Sequence, residues 1–203
     1  MIRAFLAVEL SEELRGAIAT FQDDLKRRLQ QDASKEARIS WVQPGSIHLT
    51  IKFLGDIEEQ LITPLRDTVA EAVRDLPPFV VPVERLGAFP RPQAPRVFWA
   101  GPSDEWGRSE EAQRLAAIQQ SIEQACERLG FPREAKSFTP HLTLARIKEG
   151  ERHAGNAIAR SGVMDCAARL GSLAIDSVVL MKSELRPTGS VYTKMWEVRM
   201  GAC

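Results

Sequence analysis

One short pattern occurs twice in this chain, and it constrains the fold more than any other feature. Ile47-His48-Leu49-Thr50-Ile51 returns as Pro140-His141-Leu142-Thr143-Leu144, 93 residues later, close to half of a 203-residue chain. The chain has 3 histidines, and two of them stand in these words. In an extended strand, residues i and i+2 share a face. His48 and Thr50 therefore project to one side while Leu49 and Ile51 enter a core, and His141 and Thr143 do the same against Leu142 and Leu144. Each half of the chain is expected to offer one imidazole and one hydroxyl to one surface. Halves packed about a pseudo-two-fold axis would bring the two surfaces together across a cleft.

The surrounding patterns agree with one α+β unit of two similar halves, spanning residues 1–203 without a dividing linker. Ile2–Leu10 reads as a buried strand, and Ser11 as the N-cap of a helix whose first turn holds Glu12 and Glu13. Leu14, Ile18, Phe21, Leu25 and Leu29 recur at helical spacing. Residues 30–38 read as a charged loop, Ile39–Val42 as a short strand, and Ile47–Leu54 as a strand closed by Gly55-Asp56. Leu61 to Leu76 marks a second helix with Pro64 in its first turn. Phe79–Leu86 and Arg96–Ala100 are strand candidates on either side of a Pro-rich loop. Glu110–Leu129 is a third helix ended by Gly130. His141–Ile147, Leu173–Met181 and Val191–Arg199 are further strands, and Lys148–Ala168 is mixed, with room for a helix.

Charge narrows the partner. Lys plus Arg number 27 and Asp plus Glu 27, so the formal net charge is +0. A protein that coats long nucleic acid carries a basic excess; a small or terminal substrate is expected here. Cys126, Cys166 and Cys203 form neither a CxxC pair nor a disulfide ladder, which points to a reducing cytoplasm. The opening apolar run is too short for a signal peptide, and no stretch approaches the ~20 apolar residues of a membrane span.

Two imidazoles and two hydroxyls suit in-line attack on a phosphodiester. One histidine takes a proton from water while the other, charged, gives one to the leaving oxygen. Imidazole serves both tasks because its unperturbed pKa is about 6.5. Thr50 and Thr143 can donate to phosphoryl oxygens. The arrangement requires no cation. A metal site is the rival reading, with His153 as a third ligand, but each motif supplies one imidazole and no carboxylate or cysteine lies within two residues; His153 sits in a charged, loop-like run. No GxSxG or recognisable cysteine context supports a nucleophile of that kind.

These residues resemble the two-histidine phosphoesterase superfamily, defined by two H-x-[ST] motifs, and within it the bacterial and archaeal RNA 2′,3′-cyclic phosphodiesterases, also named the 2′-5′ RNA ligase family. The resemblance runs through Ile2–Leu10, His48–Gly55, Leu86–Pro90, Pro95–Gly101, Phe138–Arg146, Ser183–Leu185, Gly189 and Tyr192, nearly the whole chain. It implies a two-lobed α+β fold, pseudo-two-fold, with antiparallel sheets flanked by helices and a central cleft. It implies no cofactor, and hydrolysis of an RNA-terminal 2′,3′-cyclic phosphate to a 2′-phosphomonoester, with His48 as proton donor and His141 as proton acceptor. A near-symmetric site can also work with these two roles exchanged. Expected partners are RNA ends or small cyclic nucleotides, with no membrane, and the chain is expected to work as a monomer. RNA joining through a 2′-5′ bond, another cyclic nucleotide as substrate, and an RNA-end-binding module with little turnover stand as alternatives.

Five further residues have two readings each. Arg146 lies five residues after His141, an odd offset that puts it on the opposite face of an ideal strand as an ion-pair partner; on the site face it would be a substrate-binding group. Arg91 and Arg96 flank the Pro-rich loop, as solvated charges or as contacts to an RNA backbone. Tyr192 is expected to pack rather than react. Trp41 is expected to be buried, with base stacking as the other reading.

Overall fold

Five consecutive buried residues, Ala4 to Val8, make β1 (Ile2–Glu9) a strand covered on both faces, which is why its sequence is apolar without alternation. The computed structural model describes residues 1–32, 37–165, 169–186 and 189–201. After β1 come α1 (Glu12–Asp32), β2 (Arg38–Trp41), β3 (His48–Ile57), α2 (Ile62–Val73), β4 (Phe79–Val83), β5 (Arg85–Phe89) and β6 (Val97–Gly101). Then follow α3 (Glu110–Arg128), β7 (Leu142–Glu149), α4 (Glu151–Ser161), β8 (Gly171–Ile175), β9 (Ser177–Arg186) and β10 (Gly189–Arg199). Among the described residues no helix is long and apolar enough to cross a membrane.

The strands pair antiparallel in the order β10-β9-β1-β3-β7-β6-β5, with β2 on β7, and a separate pair joins β4 to β8. The eight-stranded sheet is two half-sheets. One is β10-β9-β1-β3 and the other is β7-β6-β5 with β2; between them β3 and β7 share a single bridge, Leu49 to Leu142. The expected α+β class with antiparallel halves is therefore the observed one. One face carries the main core, in which Leu6, Val8, Leu49 and Leu142 meet Leu14, Ile18, Leu65, Val69, Leu115, Ile122 and Ile158 of the four helices. The other face holds a small cluster of Phe5, Ala7, Val179 and Met181, with Tyr192 against it.

The helix starts are locally encoded. Ser11 Oγ accepts from Leu14 N at 3.2 Å and Ser109 Oγ from Ala112 N at 3.1 Å. Elsewhere tertiary context changed the expected elements. Phe79–Leu86 is two strands in different sheets, β4 and β5, and Leu173–Met181 divides likewise into β8 and β9 around Asp176. β4 and β8 then pair from Phe79–Ile175 to Val83–Gly171, closing one half of the chain onto the other. A periodic apolar pattern does not say which sheet a strand joins. β3 continues through Gly55-Asp56 to Ile57 because Ile2, Arg3 and Ala4 pair along it. α1 continues to Asp32, held outside by Asp23–Lys26 and Asp24–Arg28 ion pairs, and residues 33–36 lie outside the described set. The charged run bearing His153 is α4, which buries Ala154, Ala157 and Ile158 and leaves His153 exposed.

One polar pair crosses the core. Lys52, two residues after Thr50 and 1 % exposed, donates to Glu123 Oε2 of α3 at 2.7 Å and to Pro132 O at 2.8 Å. Glu123 also accepts from Gln119 Nε2 at 3.2 Å and from Glu134 N at 3.4 Å. The cluster ties β3 to α3 and to the segment that leads into His141. Removing one partner of a buried pair leaves the other charge unpaired, at a cost of about 3–5 kcal/mol, whereas replacing both with apolar groups is far milder. Lys52→Met is therefore expected to lower the unfolding free energy by about 3–5 kcal/mol in urea titration, and Lys52→Met/Glu123→Leu to recover most of it. A double variant no more stable than the single one would contradict this account.

Candidate active site

The Leu49–Leu142 bridge joins the residues that directly follow the two histidines, so the starts of both motifs lie side by side at the junction of the half-sheets. His48, Thr50, His141 and Thr143 are half-buried, whereas Leu49, Ile51, Leu142 and Leu144 are buried in the helix-side core. The alternation read from the sequence holds at all eight positions.

The two imidazoles are held in the same way. His48 Nδ1 donates to Ser46 O at 2.9 Å, and His141 Nδ1 donates to Thr139 O at 2.8 Å. A carbonyl only accepts, so Nδ1 carries the proton and Nε2 is the edge left for chemistry. Among the described residues no protein group bonds either Nε2 or either threonine hydroxyl. Each ring also rests on two aromatics. His48 stacks on Phe5 at 4.6 Å and meets Tyr192 edge-on at 5.1 Å. His141 meets Phe89 edge-on at 5.1 Å and Trp99 at 6.3 Å. Tyr192 thus packs, as expected, and does so against a motif histidine.

Burial among these rings disfavours the imidazolium. It draws the His48 pKa down to about 4, against the pull of the Ser46 carbonyl, and the charges of Arg146 and His141 lower it further while Glu9 opposes. His141 is lowered by the same burial and by Arg146, against the Thr139 carbonyl. That Arg146 acts on both rings, and His141 on His48, is the electrostatic sign that the three share one site.

Arg146 stands on the site face, contrary to the strand-parity argument. Trp99 pairs with Thr143 but Phe98 with Ala145, so Leu144 is an extra residue, a β-bulge, which resets the alternation. Leu144 and Ala145 are consecutively buried, and Arg146 emerges exposed beside Thr143, with no ion pair to it among the described residues. The bulge is fastened from the core side. Leu144 O accepts from Val42 N at 2.9 Å and from Gln22 Nε2 at 2.9 Å, and Gln22, on α1, is fully buried. The first half repeats the device: Ala7 pairs with Thr50 but Leu6 with Lys52, leaving Ile51 as the extra residue. Phe53, the counterpart of Arg146, emerges on the site side at 60 % exposure, its ring 6.1 Å from Phe5.

Phe53, Glu9 and Gln22 were not singled out from the sequence. Two signals for them existed: Gln22 is a polar residue inside an apolar helix stripe, and Lys52 breaks strand parity directly after a motif. Trp41 faces the helix side, half-buried, with Lys26 Nζ 5.7 Å from its ring. Among the described residues no group of three or more His, Cys, Asp or Glu is placed to hold a metal, and His153 lies on the outside of α4. Burial pushes the Cys126 thiol up to about 11, the state of an unreactive core cysteine; Cys166 and Cys203 lie outside the described residues.

A half-open sheet presenting two strand-borne H-x-T motifs at one junction defines a two-histidine phosphoesterase site. The chain belongs to the LigT like phosphoesterase family, whose pattern it matches over residues 8–99 and 107–192. It is 33% identical to the RNA 2′,3′-cyclic phosphodiesterase of Methanothermobacter thermautotrophicus, over 98% of this chain and 99% of that one. It is 27% identical to the enzyme of that name from Aquifex aeolicus, over 99% and 98%. Among solved structures it resembles a Thermus thermophilus protein (TM-score 0.71, 26% identity, 98% of both chains). It also shares the fold of E. coli LigT, solved with NADP+ (TM-score 0.69, 20% identity, 99% of both chains).

The depressed imidazoles can be measured without any assumption about substrate. NMR titration of the ring protons should give His48 a midpoint near 4 and His141 one below 6.5, and inorganic phosphate should raise both, since an anion favours the charged rings. The unfolded chain binds more protons than the folded one between these values and 6.5, so stability should fall as pH is lowered through that window. A His48 midpoint at or above 6.5 without phosphate would refute the desolvation argument.

Proposed function

We propose that this site hydrolyses an RNA-terminal 2′,3′-cyclic phosphate to a 2′-phosphomonoester, the chain acting as a single two-lobed unit. The observation that carries the reading is the matched pair of imidazoles, each fixed through Nδ1 by a carbonyl two residues earlier and each with Nε2 unbonded among the described residues. Water attacks phosphorus, its proton passing to Nε2 of His141. The bond from phosphorus to the 3′ oxygen breaks, and Nε2 of His48 protonates that oxygen. Thr50 and Thr143 donate to the non-bridging oxygens, and Arg146 balances the charge that develops there. Phe53 offers a ring face on which the terminal base stacks. The names of the family relatives support this substrate class.

Electrostatics shape the assignment of roles. Burial and the guanidinium of Arg146 lower the basicity of both rings, and coupling to His141 lowers His48 further, so His48 resists protonation in the free site. The proton it donates is therefore one that the anionic phosphodiester stabilises on binding. The active ionisation state forms with the substrate rather than before it.

The decisive experiment is product analysis on an oligonucleotide ending in a 2′,3′-cyclic phosphate. The 2′-phosphate is expected; a 3′-phosphate, or no turnover, would refute the reading. His48→Ala and His141→Ala should each reduce kcat by roughly 10²–10⁴ with unchanged circular dichroism. The roles separate with a p-nitrophenyl phosphodiester, whose leaving group needs no proton. His48→Ala should lose much less on that substrate than on the cyclic phosphate, whereas His141→Ala should lose on both. The reverse pattern would exchange the two assignments.

A further inference from the structure

The Pro-rich segment between β5 and β6 forms one wall of an open groove of about 1010 Å³. The groove is lined by Phe89, Pro90, Arg91, Arg96, Lys136 and Arg152, with Glu151 as its one carboxylate. It starts at the site already described: Phe89 is the ring that packs against His141, and Val97, also in the groove wall, pairs with Arg146. Four cations face one acidic group here, in a chain whose charges cancel overall. Arg96 Nε lies 3.5 Å from Glu151 Oε1 across the groove, while no ion pair engages Arg91, Lys136 or Arg152 among the described residues.

The walls are set by close packing. A Cβ on Gly155 of α4 would stand 2.2 Å from Gln93 O and 2.9 Å from Pro92 O, so helix and loop touch backbone to backbone. Arg96 N donates to Phe89 O at 2.7 Å and Ile147 N to Arg96 O at 3.0 Å, which fixes the far end of the loop to β7. The cations of the loop and of α4 are thereby held at a fixed separation beside the histidine pair.

We propose that this groove binds the phosphates on the 5′ side of the reacting nucleotide, making the protein selective for RNA chains over mononucleotides. The inference rests on the reaction assigned above. A terminal ribose whose 2′ and 3′ oxygens are both closed in the cyclic phosphate connects to the rest of the chain only through its 5′ oxygen. The remaining phosphates must then leave the cleft on one side, and the side lined by unpaired cations is the one beyond His141. Binding there is chiefly electrostatic and blind to sequence, because Arg and Lys meet phosphates rather than base edges.

The test compares wild type with Arg91→Glu/Arg152→Glu, which alters neither motif. Substrates are 2′,3′-cyclic AMP and a decaribonucleotide ending in a 2′,3′-cyclic phosphate. The variant should keep its kcat/KM on the mononucleotide within twofold and lose at least tenfold on the decanucleotide. Fluorescence anisotropy with a decaribonucleotide ending in a 2′-phosphate should show a salt slope less steep by about 0.7 for each cation removed. Equal losses on both substrates, or an unchanged salt slope, would overturn the proposal, as would equally tight wild-type binding of a decaglutamate peptide. Should wild type turn over neither substrate, the reaction assignment fails, and anisotropy alone decides the groove: salt-sensitive binding lost in the variant upholds it, and no difference between the proteins overturns it.

Discussion

The site depends on one bridge, Leu49 to Leu142, where two half-sheets meet and almost part. A fully zipped β3–β7 ladder would continue the sheet without a cleft; no bridge at all would leave the motifs unrelated in space. One pair is enough to set the two motif starts side by side, and the apolar side chains flanking each histidine anchor both strands in the same helix-side core. The helices stabilise the sheet from one face only, so the other remains open for chemistry.

A second constraint is the bulge placed directly after each motif threonine, at Ile51 and Leu144. An inserted residue costs a ladder hydrogen bond and exposes backbone groups that need partners. In the second half those partners are Val42 N and the buried amide of Gln22. What the bulge yields is a third outward position on each strand, Phe53 on one and Arg146 on the other. The halves share a backbone device yet present an aromatic ring on one side and a guanidinium on the other. A symmetric scaffold thus serves a reaction whose two sides differ.

The imidazoles combine rigidity with low basicity for a single reason: each is packed between aromatic rings and bonded to a backbone carbonyl. Packing excludes water and disfavours the charged ring, while the carbonyl fixes the tautomer. A neutral resting site that becomes charged as an anion enters is a consequence of that packing.

Much of this was legible in the primary structure, because it depends on local periodicity. The H-x-T alternation puts imidazole and hydroxyl on one strand face wherever the strand lies, and the cap at Ser11 and the apolar stripes of α1 and α3 follow from residue type and spacing alone. Sheet membership was not legible: Phe79–Leu86 and Leu173–Met181 are apolar runs in which a single residue, Glu84 or Asp176, separates strands of different sheets, and only the pairing partner decides that. Nor was the face of Arg146, since counting residues assumes an unbroken ladder and the bulge at Leu144 breaks it. Net charge likewise hid the groove, because a sum over the chain carries no positions, and Arg91, Arg96, Lys136 and Arg152 gather only when α4 docks on the Pro-rich loop. The sequence by itself determined which side chains each strand could offer to a site. The tertiary structure decided which of them meet, because meeting depends on register, bulges and docking between segments far apart in the chain.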